Sequence, residues 1–332
     1  MKVFLTGASG FIGSRIVDEL IKKGHEVTCL VHEKEIDKPG VKSVKGDVRN
    51  KASMDDMKGC DAVIHNAAIY TYGPPKPIRN IMRDVNVAGT KNTLDLALEY
   101  GIPKIVYVSS IAVYGDTSFA DMACEDDLSE FKSPCKALYI QTKREAHLYA
   151  QKLIDEHSAP IVIAMPSVVY GENDHSAVGG FLKDLVTGNL LGNMSIDITC
   201  NYNYVGDVAK GIVLCLEKGQ CEPYILGGPA ENNINPVDFL KKAAEYGGYE
   251  IPDRNLSLGL LKFVEKIYRI KGWITGKQQL VNKELLDVFT TNFRVTNEKA
   301  VENLGYSTIP LEEGIKRTMD WYIENYDDAK KE

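Results

Sequence analysis

Short apolar runs alternate with longer amphipathic segments through the first half of the chain. The apolar runs that predict β-strands are residues 3–5, 26–31, 41–45, 62–65, 104–109 and 161–165. The segments at residues 79–100 and 136–157 carry apolar residues every three or four positions, which predicts two long helices. Strands and helices that alternate in this way predict an α/β fold with a doubly wound parallel sheet.

The second half of the chain has a less regular pattern. The helices predicted there are residues 178–188, 208–218, 236–246, 297–304 and 311–322, and one short strand is predicted at 224–226. No repeat, low-complexity tract or clear linker separates the two halves. We therefore expect them to pack as one body, in which the C-terminal part is smaller and mostly helical.

Three glycines join the first predicted strand to the first predicted helix. They stand in Gly7-Ala8-Ser9-Gly10-Phe11-Ile12-Gly13, a G-x-x-G-x-x-G spacing. Glycine allows a sharp turn and a close approach of phosphate oxygens to backbone N–H groups, and the positive end of a helix dipole faces such an anion. The segment predicts a site for the pyrophosphate of a dinucleotide; a glycine turn without a ligand is the alternative.

Charge and composition narrow the class of protein. The chain has 39 basic and 46 acidic residues, and its net charge of −7 speaks against nucleic acid as the main partner. Its seven cysteines show no C-x-x-C spacing, and no segment approaches the ~18 apolar residues of a membrane span. We expect a cytoplasmic protein with no membrane span, whose substrate is a small molecule.

A tyrosine and a lysine stand four residues apart on the second long predicted helix. Tyr139 and Lys143 share one helix face, where the lysine charge favours the phenolate and lowers the pKa of the tyrosine. Such a tyrosine can give a proton to a carbonyl oxygen or take one from an alcohol. Ser109 and Ser110 follow the strand at 104–109, at the edge where parallel sheets bind ligands. A surface tyrosine and two turn serines are the alternative interpretation.

Together these motifs resemble those of the extended short-chain dehydrogenase/reductase family, of the NAD-dependent epimerase/dehydratase type. The motifs are G-x-x-G-x-x-G at 7, G-D-V at 46, D-x-V-x-H-x-A-A at 61, N-V-x-G-T at 86, V-S-S-x-x-V-Y-G at 108, Y-x-x-x-K at 139, P-S-x-V-Y-G at 166 and Y-V-x-D-V-A at 204. The resemblance implies a Rossmann fold in which residues 1–170 bind NAD(P), with segments near 202–228 returning to that domain. Residues 171–332 would then form the substrate-binding region.

The resemblance implies hydride transfer between a nicotinamide and a carbonyl or alcohol. Tyr139 would be the acid/base, Lys143 would bind the ribose and lower the pKa of Tyr139, and Ser110 would polarise the carbonyl, with Ser109 as the fallback. The implied cofactor contacts are Gly7, Gly10, Phe11, Ile12 and Gly13 at the pyrophosphate, Asp47 and Val48 at the adenine, Ala67 beside the cofactor, and Pro166, Val168 and Val169 at the nicotinamide. The predicted substrate-pocket residues are Tyr70 and Tyr170, with Tyr72, Tyr114, Met165, Phe181 and Tyr202 as further wall residues.

Within the family, the chain is most similar to the dihydroflavonol-4-reductase-like branch. Nucleotide-sugar epimerases and dehydratases, the alternative, usually carry two arginines that meet the sugar nucleotide. The chain has Thr199-Cys200-Asn201-Tyr202 and Met165 at the matching positions. The missing cations favour a small, largely apolar ketone, aldehyde or alcohol over a sugar diphosphate. A non-catalytic NADPH-sensing protein is a third hypothesis, and the long helices of family members predict a homodimer.

The end of the second predicted strand decides between NAD and NADP. An acid there binds the ribose hydroxyls of NAD, and a cation binds the 2′-phosphate of NADP. The chain reads Val31-His32-Glu33-Lys34, with His32 where the branch commonly has arginine. We predict NADP as the preferred cofactor, because His32 and Lys34 can meet a 2′-phosphate and no acid stands at the strand end itself. NAD is the alternative, because Glu33 opposes a phosphate.

One apolar segment, residues 256–273, has three interpretations. Its residues Leu260, Leu261, Val264, Ile267 and Tyr268 fit one helical face. This face predicts core packing; the alternatives are a lid over an apolar substrate, with Lys262, Lys266 and Arg269 outward, and association with a membrane surface.

Overall fold

The central layer is a seven-stranded parallel sheet. A computed structural model describes residues 1–130, 136–275 and 282–327, with side chains outside the description at 129–130, 193–195, 255 and 268–275. The strands are β1 (Lys2–Thr6), β2 (Glu26–Val31), β3 (Val41–Lys45), β4 (Ala62–His65), β5 (Ile105–Val108), β6 (Ile161–Pro166), β7 (Val168–Tyr170), β8 (Asn193–Ser195), β9 (Cys200–Tyr204), β10 (Pro223–Leu226), β11 (Asn233–Ile234) and β12 (Asn255–Ser257). The central sheet has the order β10-β6-β5-β4-β1-β2-β3, which is the Rossmann arrangement.

Helices cover both faces of this sheet. They are α1 (Phe11–Lys22), α2 (Lys76–Arg83), α3 (Thr90–Glu99), α4 (Leu138–His157), α5 (Ala177–Val186), α6 (Val205–Lys218), α7 (Pro236–Gly247), α8 (Leu258–Thr275), α9 (Lys283–Val288), α10 (Glu298–Leu304) and α11 (Leu311–Tyr326). Successive residues of β1 enter different cores: Phe4 packs with residues of α3 and α4, whereas Val3 and Leu5 pack with residues of α1, α6 and α10. Strands covered on both faces explain the continuous apolar runs of the sequence.

The order of the sheet reverses between β1 and β4. From β1 the chain moves outward through β2 and β3, then returns to place β4 on the other side of β1. Thr6 at the end of β1 pairs with Leu30 of β2 and His65 of β4. Ligands of open α/β sheets bind at the carboxyl ends of the strands beside such a reversal, and the predicted site residues lie there.

The predicted doubly wound sheet and the predicted long helices are confirmed. Residues 84–89, inside the helix predicted at 79–100, form a π-helical turn that joins α2 to α3. A three-stranded sheet of order β11-β9-β7 and the pair β12-β8 were not predicted, and neither was α9. The C-terminal part is mostly helical, as expected.

The sequence pattern does not predict strand β9, because the strand contains polar residues that are buried. Asn201 and Asn203 interrupt the apolar pattern, yet both side chains are inaccessible to solvent. Asn201 donates to the carbonyl oxygen of Gly228 at 3.1 Å, and Asn203 donates to that of Leu226 at 3.0 Å. Hydrogen bonds to the backbone allow these amides to occupy a strand that pattern alone reads as half polar.

The apolar face predicted for helix α8 is only partly buried. Leu261 is buried and Val264 is half-buried, but Leu260 and Ile267 are exposed. The prediction that this face packs as a unit into the core is therefore wrong, and the side chains of Tyr268 and Arg269 lie outside the description. Within the described ranges, no helix combines the length and the apolar character needed to cross a bilayer.

Candidate active site

The glycine turn between β1 and α1 forms a cradle without side chains. Gly7 has a φ of +72°, and a Cβ there would lie 2.7 Å from the backbone nitrogen of Ala67. A Cβ on Gly13 would lie 2.0 Å from the carbonyl oxygen of Gly7. Helix α1 starts after Gly10 with no side-chain cap and no acidic residue in its first turn. Its first N–H groups are therefore available to an anion, and the cradle fits a pyrophosphate.

A buried chain of hydrogen bonds fixes the neighbouring end of β4. The backbone N–H of Ala67 donates to Thr6 Oγ1 at 3.2 Å, and Thr6 Oγ1 lies 2.8 Å from Nδ1 of His65. Nε2 of His65 lies 3.0 Å from Thr90 Oγ1, which donates to the carbonyl oxygen of Asn86 at 2.7 Å. These bonds assign the proton of His65 to Nε2. Burial, and then the charge of Lys143, lower the pKa of His65 to about 3. His65 is therefore a packed, neutral histidine.

The two serines that follow β5 have different environments. Ser109 is buried, and its Oγ lies 2.9 Å from Nδ1 of His147 on α4. Ser110 is half-buried and caps the short 3₁₀ turn Ile111–Tyr114, accepting from the N–H of Ala112 at 3.2 Å. Ser110 and Tyr139 line the same cleft, and the Ser110 hydroxyl is close enough to lower the pKa of Tyr139 in part. Ser110 is therefore the serine that lies beside the tyrosine.

Tyr139 and Lys143 lie on one face of α4, as their spacing predicts. Nζ of Lys143 donates to the carbonyl oxygen of Val108 at 2.8 Å and lies 5.2 Å from the centre of the Tyr107 ring. Burial lowers the pKa of Lys143 to about 7. Burial, and then Tyr70, raise the pKa of Tyr139, while the Ser110 hydrogen bond lowers it in part. The expected lowering of the tyrosine pKa by Lys143 is not found, because desolvation dominates at both groups.

The π-helical turn before α3 ties the site together. Asn86 accepts from the N–H of Ile69 at 2.7 Å and donates to the carbonyl oxygen of the same residue at 3.0 Å. Its amide also donates to Oγ1 of Thr142 at 3.1 Å, and Thr142 donates to the carbonyl oxygen of Tyr139. Asn86 thus satisfies backbone groups and also links the loop after β4 to the helix of Tyr139.

A cleft of about 540 Å³ joins the glycine cradle to Tyr139. The predicted site residues that line it are Gly7, Gly10, Phe11, Ile12, Ala67, Tyr70, Tyr72, Ser109, Ser110, Tyr139, Lys143, Pro166, Val168 and Val169. Gly13 lies behind the cradle, buried against Gly7. The structure therefore brings the predicted pyrophosphate, nicotinamide and catalytic positions into one continuous space.

Three predicted pocket residues lie elsewhere. Tyr170 is buried in the core, where its hydroxyl donates to the carbonyl oxygen of Leu311 at 3.3 Å. Tyr114 is buried with its hydroxyl on the carbonyl oxygen of Cys124, and Met165 is buried in β6. None of the three is among the described residues that line the cleft or the apolar cavity below. Their prediction as substrate-pocket walls is wrong because these side chains turn into the packed core.

The predicted adenine end of the site carries a charged cluster. The guanidinium of Arg49 contacts both carboxylate oxygens of Asp47, and hydrogen bonds with Arg49 hold the pKa of Asp47 below its usual value. Nε2 of His32 lies 3.8 Å from the carboxylate of Asp47, and Nδ1 lies 3.8 Å from that of Glu33. Val48 is buried against Gly89. His32 and Asp47 are adjacent, and sequence reasoning did not identify Arg49 as their neighbour.

An apolar cavity of about 130 Å³ adjoins the cleft. The cleft and the cavity share the wall residues Tyr70, Tyr72, Val168, Val178 and Phe293. Other residues come from α5, α7, α9 and β9, including the predicted Phe181 and Tyr202. Among the described residues that line the cavity, none carries a charge.

Tyrosine rings separate the cavity from the predicted catalytic tyrosine. The ring centres of Tyr70 and Tyr139 are 4.8 Å apart in an edge-on arrangement, and those of Tyr72 and Tyr139 are 6.1 Å apart. The sequence gives no signal for Phe293, whose segment showed no periodicity, yet Phe293 belongs to both walls. Sequence analysis also missed Asn66, which donates to the carbonyl oxygen of Gly7 at 3.3 Å. Asn66 lies within the motif D-x-V-x-H-x-A-A, but at a position that the motif leaves unspecified.

Known proteins identify the class. Residues 3–227 match the model of the NAD-dependent epimerase/dehydratase family, which is more than half of the chain. The chain therefore belongs to this family, and it is an NAD-dependent enzyme.

Similar proteins have several activities. A 3β-hydroxysteroid-dehydrogenase/decarboxylase of Arabidopsis thaliana is 26% identical over 95% of this chain and 78% of its own. A putative UDP-glucose 4-epimerase of Methanocaldococcus jannaschii is 28% identical over 97% and 99%, and a putative dihydroflavonol 4-reductase of Synechocystis is 26% identical over 96% and 94%. The crystal structure of the Thermus thermophilus UDP-glucose 4-epimerase with NAD has a TM-score of 0.77 at 21% identity, covering 98% of this chain and 100% of the other. This last similarity shows the fold.

Proposed function

We propose that the protein is an NAD(P)-dependent oxidoreductase that interconverts a ketone or aldehyde with the corresponding alcohol on a small, largely apolar molecule. The single observation that carries this proposal is the cavity next to Tyr139, where no described wall residue carries a charge. A sugar diphosphate has at least two negative charges that require cationic or N–H partners, and burying them against apolar walls is unfavourable. Aromatic and aliphatic walls instead favour an apolar substrate.

The cleft supplies the groups that such a reaction needs. Gly7, Gly10 and the first turn of α1 would hold the pyrophosphate, while Val168 and Val169 would lie beside the nicotinamide. A bound nicotinamide supplies hydride exchange with the substrate carbon. Tyr139 would deliver the proton to the carbonyl oxygen, and Ser110 would hold that oxygen by a hydrogen bond.

Lys143 is positioned to support the tyrosine. Its Nζ lies on the carbonyl oxygen of Val108 and on the face of Tyr107, where it lines the cleft near the predicted ribose position. With its pKa lowered to about 7, the side-chain amine of Lys143 can take up or release a proton near neutral pH. Hydroxyl groups of a ribose would give it additional partners and would favour its charged form.

A nucleotide-sugar epimerase or dehydratase is the second candidate. The similarity to a putative UDP-glucose 4-epimerase over nearly the whole of both chains favours it. Such an enzyme returns its hydride to the same substrate, so its cofactor stays bound through the cycle. The described cavity wall without charged residues, and Cys200 and Met165 at the positions of the two arginines, favour the reductase.

Cofactor analysis of the purified protein separates the two candidates. Mass spectrometry would detect any dinucleotide that survives purification, and fluorescence titration would give the affinities for NADH and NADPH. We expect weak, exchangeable binding, together with oxidation of the reduced dinucleotide on addition of an apolar ketone. NAD that survives purification, with thermal stabilisation by a UDP- or dTDP-sugar, would contradict the reductase and support the epimerase.

A further inference from the structure

Helix α8 presents apolar side chains to solvent. Leu260, Phe263 and Ile267 are 43%, 61% and 54% exposed. Their spacing of three and four residues places them on one face of the helix, because residues three and four apart are neighbours on a helix surface. Leu261 and Glu265 are buried on the other side. A contiguous exposed apolar face of this kind marks an interaction surface.

Helix α8 carries a net positive charge, whereas the chain as a whole is acidic. Lys262 and Lys266 are exposed and flank the apolar face. The sequence of α8 has four basic residues, Lys262, Lys266, Arg269 and Lys271, and one acidic residue, Glu265. The helix is thus net positive in a chain of net charge −7. An exposed apolar face next to lysines is typical of helices that lie in the headgroup region of a membrane.

The segment that enters α8 packs on a loop of the apolar cavity. Strand β12 leads directly into α8 and pairs with β8. A Cβ on Gly192 would lie 2.2 Å from the carbonyl oxygen of Arg254, so the loop before β8 packs on the segment that enters α8. In that loop, Leu191 is 71% exposed, while its neighbours Leu190 and Gly192 line the cavity.

We infer that α8, with Leu191 beside it, docks the protein on the surface of an anionic lipid bilayer. Leu260, Phe263 and Ile267 enter the acyl boundary, while Lys262 and Lys266 meet lipid phosphates. The helix lies in the plane of the bilayer, since its charged residues exclude a span. The docked orientation brings the wall of the apolar cavity to the lipid, so an apolar carbonyl compound dissolved there can reach the site. This last consequence rests on the proposed function, whereas the docking does not.

Vesicle flotation without cofactor or substrate tests the docking alone. We expect the protein to float with vesicles of phosphatidylcholine and phosphatidylglycerol, less with phosphatidylcholine alone, and less at high salt. The double variants Phe263→Ser/Ile267→Ser and Lys262→Glu/Lys266→Glu should each lower the partition coefficient by roughly tenfold or more. Matched controls are Val301→Ser, an exposed apolar residue on α10, and Lys22→Glu/Lys23→Glu, an equal charge change on α1 and just after it. Both controls should float like the native protein.

Two results would overturn the inference. One is a native protein that does not float with either vesicle, and the other is equal flotation of the native protein and the α8 variants. Sedimentation of Phe263→Ser/Ile267→Ser identifies the competing occupant: a native dimer that becomes a monomer in this variant, without flotation, would assign α8 to an interface between copies. Turnover of a water-miscible carbonyl compound by the α8 variants should stay native, so a failure of docking is distinguishable from a failure of the proposed reaction.

Discussion

The ammonium of Lys143 donates to the carbonyl oxygen of Val108 across 2.8 Å, which fixes α4 to the end of the central strand β5. The lysine is buried, and burial lowers its pKa from 10.5 to about 7. The burial that places Lys143 beside the predicted ribose site therefore costs folding free energy whenever the lysine is charged.

This cost predicts a pH-dependent stability. Between about pH 7 and about pH 10.5 the unfolded chain binds the Lys143 proton and the folded chain does not, so this group makes stability rise with pH in that window. Lys143→Met removes the effect. The melting temperature of the variant minus that of the native protein should be largest below about pH 7 and should fall as the pH rises. A difference that stays constant from about pH 6 to about pH 9.5 would show that Lys143 keeps its ordinary pKa.

The two serines after β5 should separate function from stability. Ser110 lies beside Tyr139, so Ser110→Ala should lower kcat by roughly 10²-fold or more with little change in melting temperature. Ser109 also borders the cleft, but its Oγ is engaged with Nδ1 of His147, so Ser109→Ala should keep most of the activity and lose about 1–3 kcal/mol of unfolding free energy. Steady-state kinetics and denaturant unfolding on both variants make the comparison. The reverse pattern would assign carbonyl polarisation to Ser109.

The glycine cradle leaves no room for a side chain at its centre. A Cβ on Gly13 would lie 2.0 Å from the carbonyl oxygen of Gly7, so Gly13→Ala must shift the turn. We expect a loss of about 1–3 kcal/mol in unfolding free energy and weaker dinucleotide binding. The control is Gly180→Ala in α5, where a Cβ meets nothing within 4 Å. This substitution should raise the free energy of unfolding by about 0.5–1 kcal/mol. Native dinucleotide affinity in Gly13→Ala would separate the cradle from the pyrophosphate.

The preference for NADP is a separate prediction that rests on His32. In His32→Asp, three acidic side chains would meet at the ends of β2 and β3, because Asp47 and Glu33 already lie 3.8 Å from the imidazole. We expect the ratio of NADPH to NADH affinity to fall about tenfold, since a 2′-phosphate would lose the imidazole and meet a third carboxylate. His157→Asp, an equal change at the end of α4, is the control. Equal preference before and after the His32 change would mean that His32 does not contact the ribose end.

Much of the dinucleotide site is readable from the sequence because it is local. The glycine turn, the strand ends and the pair Tyr139 and Lys143 each lie within one β-strand, turn or helix, so spacing alone defines their neighbours. The substrate cavity is different, since its wall combines residues from α5, β9, α7, α9 and the loop at Phe293. Such a surface depends on packing between distant segments, which a one-dimensional pattern does not encode. Tyr170 illustrates this limit, because its motif is recognisable but its side chain enters the core.

The predicted homodimer needs apolar residues of the long helices that are exposed on the surface of the chain. On the two long helices that predict a homodimer, Leu94 and Leu153 are buried within the chain, whereas Leu148 on α4 is 46% exposed. Burial of Leu94 is explained by the core between α3 and the sheet. A homodimer through α4 therefore stays a prediction that sedimentation of Leu148→Glu would address.

The central claim is that Tyr139 carries the proton in a carbonyl–alcohol interconversion. Its most direct test is the oxidation of NADPH or NADH with a panel of apolar ketones and aldehydes, by the native protein and by Tyr139→Phe, with dinucleotide affinity measured on both. The account predicts turnover by the native protein and a loss of roughly 10²- to 10⁴-fold in the variant, at unchanged dinucleotide affinity. Unchanged turnover in Tyr139→Phe would contradict it.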